Sequence, residues 1–189
     1  MHTVTRLGIA ISLLAAVVVG QHVGQADPSV EVAPRVRIYG ATAEQVDLGR
    51  WAVGRFESAG LEAPPVEIHF HGDAEGCGGH LGYAKAGKVD VCTTLVNAMA
   101  RRNLLHEMSH IWLDVNADAS VREMFLQFRG LRAWNASADP WGERGYEQGA
   151  EIVSWAIGER ILTAQISDID PAALEAGFEI LTGIAPPQA

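Results

Sequence analysis

His106-Glu107-Met108-Ser109-His110 lies inside residues 93–116, a stretch that neither proline nor glycine interrupts. Leu104, Met108 and Ile111 recur at i, i+4 and i+7, so the stretch reads as an amphipathic helix. On such a helix His106 and His110 fall one turn apart, about 6 Å along the axis. His106 sits about 200° round from Leu104, so the histidines point away from the apolar seam. At this spacing two imidazole nitrogens can meet one zinc ion at about 2.0–2.1 Å each. Glu107, about 100° from His106, can reach a water beside such an ion without ligating it. A helix with an apolar seam on one side and polar ligands on the other needs a layer against each. The flanking sequence decides what those layers are.

Upstream, residues 66–71 (Val-Glu-Ile-His-Phe-His) alternate with period two and read as a strand, with Glu67, His69 and His71 on one face. Residues 82–92 read as a hairpin, with Leu81, Tyr83, Val89 and Val91 as strand residues and Lys85-Ala86-Gly87-Lys88 at the turn. Residues 36–39 make a short strand after a polar lead-in at 27–34. A helical pattern begins at Thr42 or Ala43 and runs to Ala59, stopped by Gly60 and Pro64-Pro65. Downstream come a helix over 119–128, a loop over 130–145, a long helix over 144–163, and a last helix over 171–182 with Pro171 at its start. This order predicts an α+β fold: a small antiparallel sheet whose hairpin packs on the motif helix, followed by further helices.

The 189 residues suffice for one domain, expected over 27–189, and 48% apolar with 20% charged residues fits a globular core. Net charge is −9, with 2 Lys and 12 Arg and no basic run, which argues against nucleic-acid binding because that affinity comes from neutralising phosphates. Residues 1–26 read as an export signal: Arg6, an uncharged apolar run over 7–20, then Val23-Gly24-Gln25-Ala26 with small residues placed for cleavage after Ala26. Fourteen apolar residues are short for a hydrocarbon core of about 30 Å, so no stable membrane span is expected; an uncleaved N-terminal anchor is the alternative. A secreted monomer follows. In an exported chain the two cysteines, Cys77 and Cys92, are expected to form one disulfide rather than a thiolate metal site.

Two histidines leave a catalytic zinc one protein ligand short. All seven histidines fall at or before His110, so a downstream ligand has to be a carboxylate. Leu113 and Asn116 stand where the metzincin pattern requires Gly and His, which excludes that group. The densest acidic stretch on a helix is Tyr146-Glu147-Gln148-Gly149-Ala150-Glu151, where Glu147, Glu151, Ser154 and Gly158 share one face. Small Gly149 and Ala150 would let this helix approach the motif helix closely. Upstream, His69 and His71 are rival ligands for the same ion or for a second one.

H-E-M-S-H followed by E-Q-G-A-E resembles the gluzincin group of zinc metallopeptidases over residues 66–162. The resemblance implies a zincin-like fold, with Glu147 as third ligand and Glu151 orienting a ligand histidine. Glu151 stands where the group often has Asp, and its longer arm leaves the two roles open to exchange. It also implies a peptide or protein substrate, hydrolysed with Glu107 as general base. His80, Tyr83, Tyr146 and Arg144 are candidates to polarise the substrate carbonyl. The alternative function is a non-catalytic zincin-like domain that binds a protein or cell-envelope partner.

Overall fold

The structure, a computed structural model, describes residues 29–160 and 166–187; the expected signal segment over 1–26 lies outside them. Strand β1 (Ser29–Ala33) turns at Arg35, which has φ +69°, onto β2 (Val36–Tyr39). The lead-in read as merely polar is therefore an edge strand. Its exposed SVEVA pattern carries little burial signal. Helix α1 (Ala43–Ser58) starts on a capping box: Thr42 Oγ1 accepts from Gln45 N–H, and Gln45 Oε1 accepts from Thr42 N–H. Next come β3 (Val66–His71), then β4 (Gly82–Lys85) and β5 (Lys88–Cys92), joined by Ala86 and Gly87. Both turn residues have positive φ, as a two-residue primed turn demands.

The strand order is β1-β2-β3-β5-β4. The α+β class is as expected, but the sheet is mixed rather than antiparallel. β2–β3 and β3–β5 pair in parallel, while β1–β2 and β4–β5 are antiparallel. Parallel neighbours need a crossover connection, and α1 supplies one between β2 and β3. The hairpin then returns so that β5, not β4, pairs with β3. This leaves β4 as a free edge.

Helix α2 (Ala98–Asn116) carries the histidines. It begins at Ala98, where Asn97 Oδ1 accepts from Ala100 N–H, so Leu95 and Val96 precede it and Leu95 is exposed. Leu104, Met108 and Ile111 are buried in one core with Ile38 and Ile68 of the sheet and Phe56 of α1. Helix α3 (Ala119–Arg129) follows, capped by Asp118. Helix α4 (Gly145–Ile157) lies against the histidine side of α2. Gly149 permits this closeness: a Cβ there would meet Leu113 at 3.1 Å and Trp134 at 3.3 Å.

Helix α4 stops at Ile157, well short of the expected residue 163. Gly158 has ψ −140°, and a Cβ on it would stand 2.5 Å from Ser154 O. Arg55 donates to the carbonyls of Ile157 and Gly158, satisfying acceptors that a helix end leaves open. Helix α5 (Pro171–Thr182) starts as predicted, with Asp170 as cap and Pro171 in the first turn. Among the described residues no helix is long and apolar enough to cross a membrane.

Candidate metal centre

Helix α2 delivers His106 and His110 from one side, and the first turn of α4 delivers Glu147 from the other. The spacing along α2 makes the two Nε2 atoms converge at 3.1 Å. Glu147 Oε2 lies 3.1 Å from His110 Nε2 and 3.5 Å from His106 Nε2. Around an ion bound at about 2.0–2.1 Å, tetrahedral donors stand about 3.3–3.4 Å apart. The three atoms fit three corners of that figure. Among the described residues this is the group of His, Cys, Asp or Glu side chains that could hold a metal ion.

The electrostatics suit a cation. Both histidines are buried. Burial holds the His106 imidazole down at about 3, against the pull of its bond to Glu147, so at neutral pH the ring is uncharged and one nitrogen carries a free lone pair. For Glu147 burial works upward, but hydrogen bonds from His106 and His110 outweigh it and bring the carboxyl to about 2. Its place in the first turn of α4 adds the favourable end of the helix dipole. A divalent ion at their meeting point would replace the protons that those hydrogen bonds require.

Behind the candidate ligands lies a buried charge pair. Glu151, one turn after Glu147, is fully buried. It accepts from Arg102 Nη2, and its Oε2 is 3.1 Å from His106 Nδ1. His106 Nδ1 makes no hydrogen bond along that line, so the contact is electrostatic. This is the contact by which a carboxylate fixes the tautomer of a ligating histidine. Tyr146 lies against His110 with ring centroids 4.1 Å apart, and its hydroxyl donates to Asp114 Oδ2 at 3.1 Å. Burial and the neighbouring acid push that phenol well above its ordinary range. Trp141 stacks on His106 at 5.7 Å.

Glu107 opens into the same cleft, of about 850 Å³, as His106, His110 and Glu147. Burial pushes its carboxyl up to about 7. It packs against Gly82 of β4, whose strand forms one cleft wall. Cys92 N–H donates to Leu81 O, so in this antiparallel pair Tyr83 and Lys85 share hydrogen bonds with β5. The backbone groups of Gly82 and Ala84 therefore face the free edge.

His80, Tyr83, Tyr146 and Arg144 all line the cleft. His69 and His71 do not belong to the ligand group. His69 stacks on Tyr39 at 4.5 Å, and His71 Nε2 is 2.6 Å from Asp90 Oδ1 on the outer sheet face. The Cys77–Cys92 disulfide is present and ties the turn before β4 to the end of β5. Arg102, Gly82 and Trp141 escaped the sequence reading. Arg102, four residues before His106 on the same helix, carried a usable signal: a charge in line with His106 and His110 on one helix face. Gly82 and Trp141 carried none, because nothing in their local sequence marks the side chains they pack against. The chain matches no known family model, characterised protein or solved structure.

Proposed function

We propose that this chain is a zinc-dependent peptidase of the gluzincin kind, exported and acting on peptide bonds. The observation that carries this reading is the position of Glu107, in one cleft with the His106–His110–Glu147 group and against an unpaired strand edge. A zinc ion held by those three side chains supplies Lewis acidity and lowers the pKa of a water toward about 7.

The remaining chemistry belongs to the protein. A peptide laid along β4 pairs with the outward N–H and C=O groups of Gly82 and Ala84, as an added strand would. Glu107 takes a proton from the attacking water as its oxygen bonds to the scissile carbonyl carbon. It then passes that proton to the leaving nitrogen as the C–N bond breaks. Without an ion, burial holds its carboxyl near 7, and the bound ion would draw it down toward the ionised form that a base needs. Glu151 holds His106 in the tautomer that presents Nε2 to the ion, and Arg102 holds Glu151.

Glu107→Gln tests the reading, because an amide of nearly the same shape cannot accept the proton. The variant is expected to keep about one zinc per chain and to lose peptide hydrolysis by at least about a hundredfold. Loss of zinc with the activity would make Glu107 a ligand. A metal-loaded wild type that binds peptides and cleaves none would leave the non-catalytic binding domain as the reading.

A further inference from the structure

The cleft gathers positive side chains in a chain that is otherwise acidic. Lys85, Arg102, Arg122 and Arg144 line it against Glu107, Asp114 and Glu147, where the whole chain carries −9. Arg102 is matched by Glu151. Arg122 and Arg144 are held by neutral partners. Arg144 donates from Nε to Asp139 O at 3.0 Å and from Nη2 to Ser137 O at 3.3 Å. Arg122 donates to Leu113 O at 3.4 Å, and its guanidinium lies 5.2 Å above the Trp134 ring. Carbonyls and an indole fix these side chains without cancelling their charge. The exposed Asp118 also feels the charge of Arg122.

Both cations line the cleft, and a wall of rings runs from Arg122 to the metal ligands. Arg122 covers Trp134, Trp134 meets Tyr146 at 6.0 Å, and Tyr146 meets His110 at 4.1 Å. Backbone bonds from Gly145 N–H to Ala133 O and from Tyr146 N–H to Trp134 O tie this loop to the start of α4, beside Arg144. The wall spans a few residues of an extended peptide at about 3.3 Å per residue. Asp114 faces the same end, but its carboxylate already accepts from the Tyr146 hydroxyl.

We propose that the cleft selects peptides bearing an acidic side chain, which Arg122 and Arg144 hold on the Trp134–Tyr146 wall. The inference rests on the peptidase reading and names the substrate class of that site. A guanidinium fixed in advance offers paired N–H donors to a carboxylate, and little ordering entropy remains to be lost on binding.

The test uses the zinc-loaded Glu107→Gln protein, which binds without turnover, and fluorescent peptides in which one Glu is moved through each position or replaced by Gln. Fluorescence anisotropy should show at least one position where Glu binds about tenfold tighter than Gln, the scale of a charged hydrogen bond, with the difference shrinking as salt rises. In Arg144→Gln or Arg122→Gln that ratio should fall toward one, while Arg144→Lys retains part of it; zinc content and a melting curve confirm that each variant is folded. Equal affinities at every position, or no measurable binding of either series, overturn the proposal. So does an equal loss for Glu and Gln peptides in the arginine variants. Wild-type cleavage of both series at equal rates sinks the acidic preference and leaves the peptidase reading standing. Selective binding with no cleavage by the wild type does the reverse.

Discussion

A methyl group on Gly82 would stand 2.7 Å from Glu107 Oε1 and 2.8 Å from its Cγ. The glycine is thus the mould against which the proposed base is set. Gly82→Ala is allowed by the backbone, so the added carbon must displace Glu107 by changing its rotamer. Misplacement of a reacting group by about 1 Å costs on the order of a hundredfold in rate. We expect kcat/KM for a peptide substrate to fall by about that factor while zinc content stays near one per chain. Unchanged activity in Gly82→Ala would show that Glu107 needs no such fixing.

Glu147 and Glu151 differ in what they touch, and the difference ranks their variants. Glu147 Oε2 faces both Nε2 atoms, whereas Glu151 meets His106 at its rear nitrogen, Nδ1. Glu147→Gln should therefore bind zinc far more weakly than Glu151→Gln, in competition with a chromophoric chelator. Loss of a carboxylate behind a ligand typically costs about 10–100-fold in affinity or activity. His106→Ala and His110→Ala should each lose most of the metal. The reverse ranking of the two glutamates would exchange their roles.

Much of this centre was legible because it is local. His106, Glu107 and His110 are fixed by the period of one helix, and β3, the hairpin and α5 follow from patterns a few residues long. Glu147 was reachable only as an acidic face on another helix. The distances that favour it over Glu151 depend on how α4 crosses α2. Parallel pairing of β3 with β5 was illegible for the same reason, since alternation fixes the faces of a strand and not its neighbour. The end of α4 depends on Arg55, a hundred residues away in sequence, donating to its last carbonyls.

Arg102 and Glu151 form the buried pair behind His106, with Glu151 fully enclosed. Removing one member of such a pair leaves the other charge in a medium that solvates it poorly, at a cost of about 3–5 kcal/mol. Arg102→Met should lower stability by that order in urea denaturation. Arg102→Met combined with Glu151→Leu should recover a substantial part of it, because no unpaired charge remains. Additive losses in the double variant would mean that the pair is not coupled.

Acid should unfold the metal-free protein through two groups of the centre acting together. Glu147, at about 2 against an ordinary 4.5, contributes stability that is complete above pH 4.5 and is lost as pH falls through 2. His106, at about 3 against 6.5, favours the neutral folded form, so its contribution is complete above 6.5 and is lost as pH falls through 3. Glu107, raised to about 7, has the opposite sign: its contribution is complete below 4.5 and disappears as pH rises through 7. Between 4.5 and 6.5 His106 and Glu107 therefore oppose each other, and Tm of chelator-treated protein should change little. Below 4.5 Glu107 is protonated in both states, while Glu147 and His106 add, so Tm should drop steeply toward pH 3. Because other carboxylates also titrate there, the decisive reading is a difference. Glu147→Gln lacks one of the two groups and should show a shallower drop than the wild type over the same interval. Parallel curves for the two proteins would remove Glu147 from the acid response.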